Sequence, residues 1–397
     1  MFSIKKVVSI FLVLAVVGVF IGSGFAAAPR KIVLDGRQLS VSTQPMLSRG
    51  EIYIPIASVV EAIGGSTSYN AAKKELSITA AGISALVTAK SKTATLNGKT
   101  FEMKNPAISS RGVILVPLST LPTLLGAEAA YNKSMELVTI KYFTSMTGTL
   151  KVGGSTTVQP ITQKAADILM ARNKGLSVTI SAPGSGAGIN GAIDGTFHIG
   201  AASRELKSSE LEKCPDLKQF QIGSDGIAII INKANKVSNL TKQQVFDIFT
   251  GKITNWKDVG GTDSPIFVQT REVGSGTLDA FNELALHIID KAAKIVSTAT
   301  PNTSNGLVKE AVKGNKNAIG FISFGYLEGS VKGINIEGVS PTPANAMAKV
   351  WPYVRPLNVV TKGIPSALAA KFINYLKSDE GQNILVEEHY LPLKAND

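Results

Sequence analysis

The sequence predicts an α/β protein of helix-covered sheets, preceded by a small α+β repeat module. Three observations carry this. Strand-like and helix-like segments alternate from Thr149 to the C-terminus. Residues 31–141 repeat at a constant offset of 62. The 397 residues leave room for two or three domains.

The N-terminal 28 residues are expected to lie outside the fold. Lys5 and Lys6 precede an apolar run of about 16 residues, and small residues end at Ala26, Ala27 and Ala28. This reads as a secretory signal peptide, cut after Ala28 or Ala26. The run is short for a membrane span of ~20 residues. No cysteine lies near the cut, which argues against lipid attachment there. An exported, extracytoplasmic protein is therefore expected, at the cell surface, in a periplasm or secreted.

The repeat covers residues 29–146. Leu34 and Gly36 recur as Leu96 and Gly98, Arg49-Gly50 as Arg111-Gly112, and Pro55 as Pro117. Gly64 recurs as Gly126, Tyr69-Asn70 as Tyr131-Asn132, and Ile78 as Ile140. Each unit reads strand, strand, short helix, turn, strand, with a glycine closing the helix. The module has neither histidine nor cysteine, so it offers poor ligands for copper.

From residue 149 the order runs as follows. KVGG ends a strand, and ITQKAADILMARN is an apolar-periodic helix. LSVTISAP is a strand, GSGAGINGAID opens a helix, and FHIGAAS is a strand holding His198 as a core residue. GIAIIIN is a continuously apolar, buried strand. LTKQQVFDIFTG is a helix, PIFVQT a strand, and SGTLDAFNELALHIIDKA a helix. NAIGFISF and YVRPLNVVT are strands, and PSALAAKFINYLKSDEGQNIL is one long helix. One large domain or two lobes fit this length.

Composition removes several functions. The single cysteine, Cys214, excludes a disulfide framework within the chain and multi-cysteine metal sites. His198, His287 and His389 are too scattered for a zinc or haem site, so no metal and no cofactor is expected. The net charge is +12, but 13 basic against 7 acidic residues fall in 29–148, and no nucleic-acid motif is present. The module's excess suits an anionic cell-wall polymer and equally an ordinary solvated surface.

Three strand–loop–helix junctions share one chemistry. They are Gly153-Gly154-Ser155-Thr156-Thr157, Pro183 to Gly188 around Ser185, and Arg271 to Thr277. Each is expected to put Ser or Thr at a helix N-cap and Gly where backbone comes close. Free N–H groups at helix starts attract anions. Arg271 adds a planar, permanently charged fork. Parallel α/β folds gather such strand ends at one crevice. Alternatives fail: no P-loop spacing occurs, Pro183 breaks the nucleophile-elbow pattern, and no histidine is placed to act as a base. An enzyme is not expected.

GSTTVQP, SAPGSGAGI, IGAASREL, SDGIAIIIN, LTKQQVFDIFTGKITNW and REVGSGT, in that order, resemble the phosphate-binding proteins of bacterial phosphate ABC transporters. The repeat resembles the copper amine oxidase N-terminal-like domain. The first resemblance implies a two-lobed periplasmic-binding-protein-like fold over 149–397, closing on inorganic phosphate. Lobe 1 would be about 149–231 and 341–397, and lobe 2 about 232–340. Gly226–Asn232 and Tyr353–Val360 would be the crossover hinge strands. It further implies phosphate contacts from Ser155, Thr156, Thr157, Ser185, Arg271, Ser275, Gly276 and Thr277. One branch of the family has an Asp where this chain has Ser203, beside Arg204. Ser203 is then the candidate acceptor, and Arg204 is either a ligand or the partner of Glu205 or another surface acid. Asp225 and Glu272 are further candidate acceptors. Trp256 and Trp351 read as lobe packing. The function implied is capture of phosphate and delivery to an ABC transporter permease. The alternatives are a receptor for another oxyanion such as sulfate, or a wall-bound adhesion or sensing protein. Because every anion loop follows residue 150, a chain starting near Thr149 is expected to fold and keep its affinity.

Overall fold

A computed structural model describes residues 31–393, so the signal-peptide expectation lies outside the described residues. In the N-terminal module, the repeat is visible element by element. Strands β1 (Lys31–Leu34), β2 (Arg37–Leu39), β3 (Met46–Ser48) and β4 (Glu51–Pro55) lead to α1 (Ile56–Ala62), β5 (Ser66–Asn70) and β6 (Glu75–Ala80). After β7 (Ile83–Thr88) the same series returns as β8 (Thr93–Leu96), β9 (Lys99–Glu102), β10 (Ile108–Ser110), β11 (Val113–Pro117), α2 (Leu121–Leu125), β12 (Glu128–Asn132) and β13 (Leu137–Lys141). The repeated Asp35-Gly36, Asn97-Gly98, Arg49-Gly50 and Arg111-Gly112 pairs each close a two-residue hairpin. Both central residues have φ between 50° and 87°, the condition for turns that match strand twist.

The two repeats interlock. β4 and β11 pair antiparallel with Val116 opposite Ile54, Leu115 opposite Pro55 and Pro117 opposite Tyr53. With an offset of 62, that register is self-complementary, so a pseudo-two-fold axis passes between Ile54 and Val116. The chain's first strand, β1, lies parallel to β13, the last strand of the second repeat. Neither repeat can therefore complete its sheets alone.

The remainder follows the predicted alternation. β14 (Gly148–Gly154), α3 (Gln159–Arg172), β15 (Leu176–Ser181), α4 (Ser185–Asp194), β16 (Ile199–Ala202) and α5 (Ser208–Lys213) precede the fifteen-residue β17 (Leu217–Ile231). Next come β18 (Asn239–Leu240), α6 (Lys242–Phe249), β19 (Phe267–Arg271), α7 (Gly276–Phe281), β20 (Thr300–Asn302), α8 (Asn305–Gly314) and β21 (Ala318–Ser323). β22 (Lys332–Gly333), β23 (Asn335–Ile336), α9 (Pro343–Met347), β24 (Val354–Lys362), α10 (Ala367–Lys377) and α11 (Asp379–Glu387) complete the chain. The strands run in the order β15-β14-β16-β24-β17-β21-β19-β20. β17 pairs with β24 from Leu217 to Gly226, then with β21 from Ile227 to Ile231. It thus passes from one half of the molecule to the other.

Three local expectations need correction. The predicted single C-terminal helix is two, because Ser378 adopts an extended backbone and its hydroxyl caps α11 by accepting from Gly381 N. The helix predicted after Ser275 is α-helical only to Phe281 and continues as a π-helical turn over Asn282–Leu286. His198 is not a core residue. It is exposed just before β16, where its Nδ1 accepts the Lys151 N–H. Trp256 and Trp351 are buried in packing, with their indole N–H groups on Asn317 O and Ile227 O.

The module is not a separate bead. One continuous apolar core contains Ile32, Ile54 and Val138 from the module and Val152, Ile161, Phe372 and Leu376 from the larger part. A second core draws on residues between Ile227 and Tyr353 together with Leu391. At the junction Asn374 of α10 is fully buried. Its Oδ1 accepts Ala81 N at 2.8 Å, and its Nδ2 donates to Ala81 O and to Tyr142 Oη. Asp35 accepts the N–H groups of Tyr142, Phe143 and Thr144, and Arg37 and Arg172 both pair with Glu380.

This packing changes what truncation should do. A chain starting at Thr149 keeps every anion loop but strips the cover from α10. It is expected to melt below the full chain. Within the full chain, Asn374→Ala strands both polar groups of Ala81 and should cost about 1–3 kcal/mol, measured by urea unfolding.

Candidate functional site

The three junctions meet in one buried, polar place between the two halves. At the first, Ser155 N donates to Ala201 O, and Ser155 Oγ accepts Thr157 N at 3.1 Å. That hydroxyl holds the turn ahead of α3, although the residue preceding the helix is Val158 rather than Ser or Thr. At the second, Gly184 precedes α4 with φ 102°, and Ser185 is its first residue. At the third, Ser275 is a true N-cap, accepting from Leu278 N. Only this junction has the capping arrangement expected of all three.

Side chains from these loops converge. Ser155 Oγ donates to Ser203 Oγ at 3.0 Å, and Ser203 N donates to Ser185 Oγ at 3.2 Å. From the other half, Thr277 Oγ1 lies 3.3 Å from Thr157 Oγ1, and Gly274 O accepts Gly186 N at 3.0 Å. Gly276 sits where a side chain cannot: a β-carbon there would fall 2.2 Å from Ser185 Oγ and 2.7 Å from Ser203 Oγ. Ser155, Thr156, Thr157, Ser185, Ser203, Ser275 and Thr277 are all buried. Ser155, Thr157, Ser185, Ser203, Gly276 and Thr277 are thus brought together directly, Thr156 joins them through Asn305, and Ser275 immediately precedes Gly276.

Arg271 is 2% exposed. Its Nε and Nη2 donate to the Glu272 carboxylate, with further bonds to Asn302 O and Thr303 O, while its buried Nη1 makes no hydrogen bond. Arg204 differs. Its Nε donates to Asp279, its Nη1 to Glu205 O and Glu210, and its Nη2 to Glu210. Its donors are almost wholly occupied by protein, and its acid partners are Glu210 and Asp279 rather than Glu205's side chain.

Sequence reasoning missed Arg355 and Asn305. Arg355, on β24, is 3% exposed and donates through Nε and Nη2 to Asp225 Oδ2 at 3.1 and 2.8 Å. The same Nη2 donates to Thr157 Oγ1 at 2.9 Å, and Nη1 is buried without a partner. The two residues of this pair are opposite each other in the register of β17 and β24. Burial lowers the Arg355 pKa, and the nearby Arg271 charge lowers it further. Burial likewise raises the Asp225 pKa, against the pull of Arg355. Arg271 and Arg355 each keep one buried Nη1 without a hydrogen-bond partner. The cue was present in the sequence. An Arg in one apolar strand and an Asp in the other need partners if buried. Asn305, fully buried at the start of α8, donates from Nδ2 to both Thr156 Oγ1 and Thr157 Oγ1 at 3.0 Å. The sequence signal for that helix start is Ser304, the N-cap of α8, which accepts Leu307 N and stands in a Ser/Thr/Asn-rich stretch before an apolar-periodic run.

Both carboxylates considered as free acceptors are engaged. Asp225 holds Arg355 and accepts Phe324 N at 3.1 Å, and Glu272 holds Arg271. The remaining acceptors are hydroxyl oxygens, which can donate and accept. Among the described residues no cluster of His, Cys, Asp and Glu could hold a metal ion, and no helix is long and apolar enough to cross a membrane.

Comparison with known proteins agrees with this geometry. Residues 144–380 match the PBP superfamily domain, and residues 33–140 match the copper amine oxidase N-terminal domain. The phosphate-binding protein PstS of Bacillus subtilis is 32% identical over 248 residues, spanning 62% of this chain and 81% of that protein. PstS of Borreliella burgdorferi is 32% identical over 254 residues, spanning 62% and 90%. A candidate phosphate ABC transporter substrate-binding protein from Clostridium perfringens, solved with bound phosphate, superposes with a TM-score of 0.59 at 40% identity. That match covers 62% of this chain and 100% of the other. An ABC-type phosphate transport receptor from Vibrio cholerae gives 0.53 at 34% identity, covering 62% and 100%.

The ion pair at the centre makes a stability prediction. Asp225→Ala leaves the Arg355 charge buried and uncompensated, and should cost about 3–5 kcal/mol in denaturant unfolding. Loss below about 1 kcal/mol would show that Arg355 finds water or another acceptor.

Proposed function

The chain belongs to the PBP superfamily, in the family of the phosphate-binding proteins, and on that premise we propose that it is an exported receptor for inorganic phosphate. It captures the ion between its two lobes and delivers it to an ABC transporter permease. No reaction is catalysed. The observations that carry this reading are the buried hydroxyls that the two lobes bring together and two buried guanidinium groups, Arg355 bonded to one of those hydroxyls and Arg271 at the start of the third loop, each with an unpartnered Nη1. Each guanidinium is balanced by a carboxylate, and what each keeps to offer an oxyanion is its buried, unpaired Nη1 donor.

The roles follow from position. Ser155, Thr156, Thr157, Ser185 and Ser203 supply lobe 1's hydroxyl and N–H donors. Arg271, Ser275, Gly276 and Thr277 close from lobe 2, with the start of α7 adding its N–H groups. Arg355 stands on the crossing strand between them. Closure is a hinge motion about β17 and β24, and each lobe alone holds half a site. Lobe 2 is taken as about 232–340. A proton on phosphate meets Ser hydroxyl oxygens, because both nearby carboxylates already serve arginines. Arg204 is left out of the ligand set, since its nitrogens are committed to Glu210, Asp279 and Glu205 O.

The positive balance of the N-terminal module suits a supporting contact with an anionic wall polymer. Binding of the full chain to isolated cell wall, lost on removing residues 29–148, would assign that role.

Titration calorimetry with phosphate and with sulfate tests the ligand. Phosphate should bind more tightly, and equal affinities would favour a general oxyanion receptor. Arg271→Ala should weaken phosphate binding by about 10- to 150-fold, since a charged hydrogen bond contributes about 1.5–3 kcal/mol. Arg271→Lys keeps the charge but loses the fork, and should fall between. Wild-type affinity in Arg271→Ala would remove that residue from the site.

A further inference from the structure

The contacts of Arg204 suggest a role outside the phosphate shell. Arg204 follows β16 in lobe 1, whereas Asp279 lies on α7 in lobe 2. Arg204 Nε meets Asp279 Oδ2 at 2.8 Å, and Lys207 Nζ meets the same oxygen at 2.8 Å. One lobe 2 carboxylate thus receives two lobe 1 cations. Arg204 is aimed by its own lobe: Glu210 holds Nη1 at 2.9 Å and Nη2 at 2.7 Å. Burial pushes the Glu210 pKa up, but the bonds and charge of Arg204 outweigh it, leaving the carboxyl below its ordinary value. Gln219 and Asn358 fix the surrounding backbone, through Leu206 N and Arg204 O. The Arg204 side chain is 7% exposed and that of Asp279 22%, so solvent screens this contact less than a surface pair.

We propose that Arg204, Lys207 and Asp279 form an interlobe latch that holds the closed receptor shut and sets how slowly it releases its ion. This rests on the phosphate reading for its ligand but not for its geometry. Separating the lobes leaves Arg204 still paired with Glu210, so opening does not strand a buried charge in lobe 1. What closure adds is Asp279. The latch residues make no use of the hydroxyl ring, so they act through the closed conformation rather than on the ion. Arg204 and Asp279 are therefore positioning residues.

Asp279→Asn keeps shape and removes the charge. Stopped-flow release of inorganic phosphate from the full chain should quicken about tenfold, with the association rate little changed. Asp279→Glu should recover much of the slow release, and both variants should still unfold in one cooperative transition. A wild-type release rate in Asp279→Asn overturns the latch. If the wild-type chain holds no phosphate, the receptor reading fails separately. The latch is then judged by small-angle scattering, where Asp279→Asn should give a larger radius of gyration than wild type. An unchanged radius overturns it.

Discussion

The structure turns on one cross-strand pair, Asp225 opposite Arg355. A guanidinium with 3% exposure is tolerable only with a carboxylate against it, and the register of β17 and β24 supplies one directly. These are also the strands that join the two halves. The pair therefore fixes how the crossing strands align, and with them the approach of the loops on either side. Its Nη2 reaches Thr157, so the same cation ties the hinge to the first loop. A neutral pair there could hold register, but it would remove the guanidinium that bonds Thr157.

The fold was legible in the sequence where its signals are local. The 62-residue repeat, the alternation of strands and helices, and the three glycine-rich junctions all depend on neighbours in the chain. The capping pattern holds only at Ser275, because Ser155 lies three residues ahead of the Val158 that precedes α3, and Ser185 is already the first residue of α4. His198 was misread since β16 starts at Ile199, two residues after the Phe197 at which the apolar-looking stretch begins. The C-terminal helix hid its break, as Ser is acceptable both inside a helix and at an N-cap.

What escaped was long-range. Arg355 and Asn305 reach the site across 198 and 148 residues of sequence to Thr157. Arg204 was legible as important but not in its partners, because Asp279 sits on the opposite lobe. The merged core was equally invisible. Nothing in the linker announces that Asn374 will satisfy both polar groups of Ala81, and a short connection reads the same whether domains touch or not.

That merged core has a consequence for biosynthesis. Interlocked repeats give the module many non-local pairings, with β1 waiting for β13 before its sheet can form. The ribosome finishes this module before the larger part, yet α10, the face that seals it, is made only after the intervening strands and helices of that part. Until α10 is made, Ala81 and its neighbours are left without Asn374. The module, made ahead of the larger part, is thus among the last regions to be fully protected, and a chain stalled before residue 367 would present that unsealed surface to proteases and chaperones.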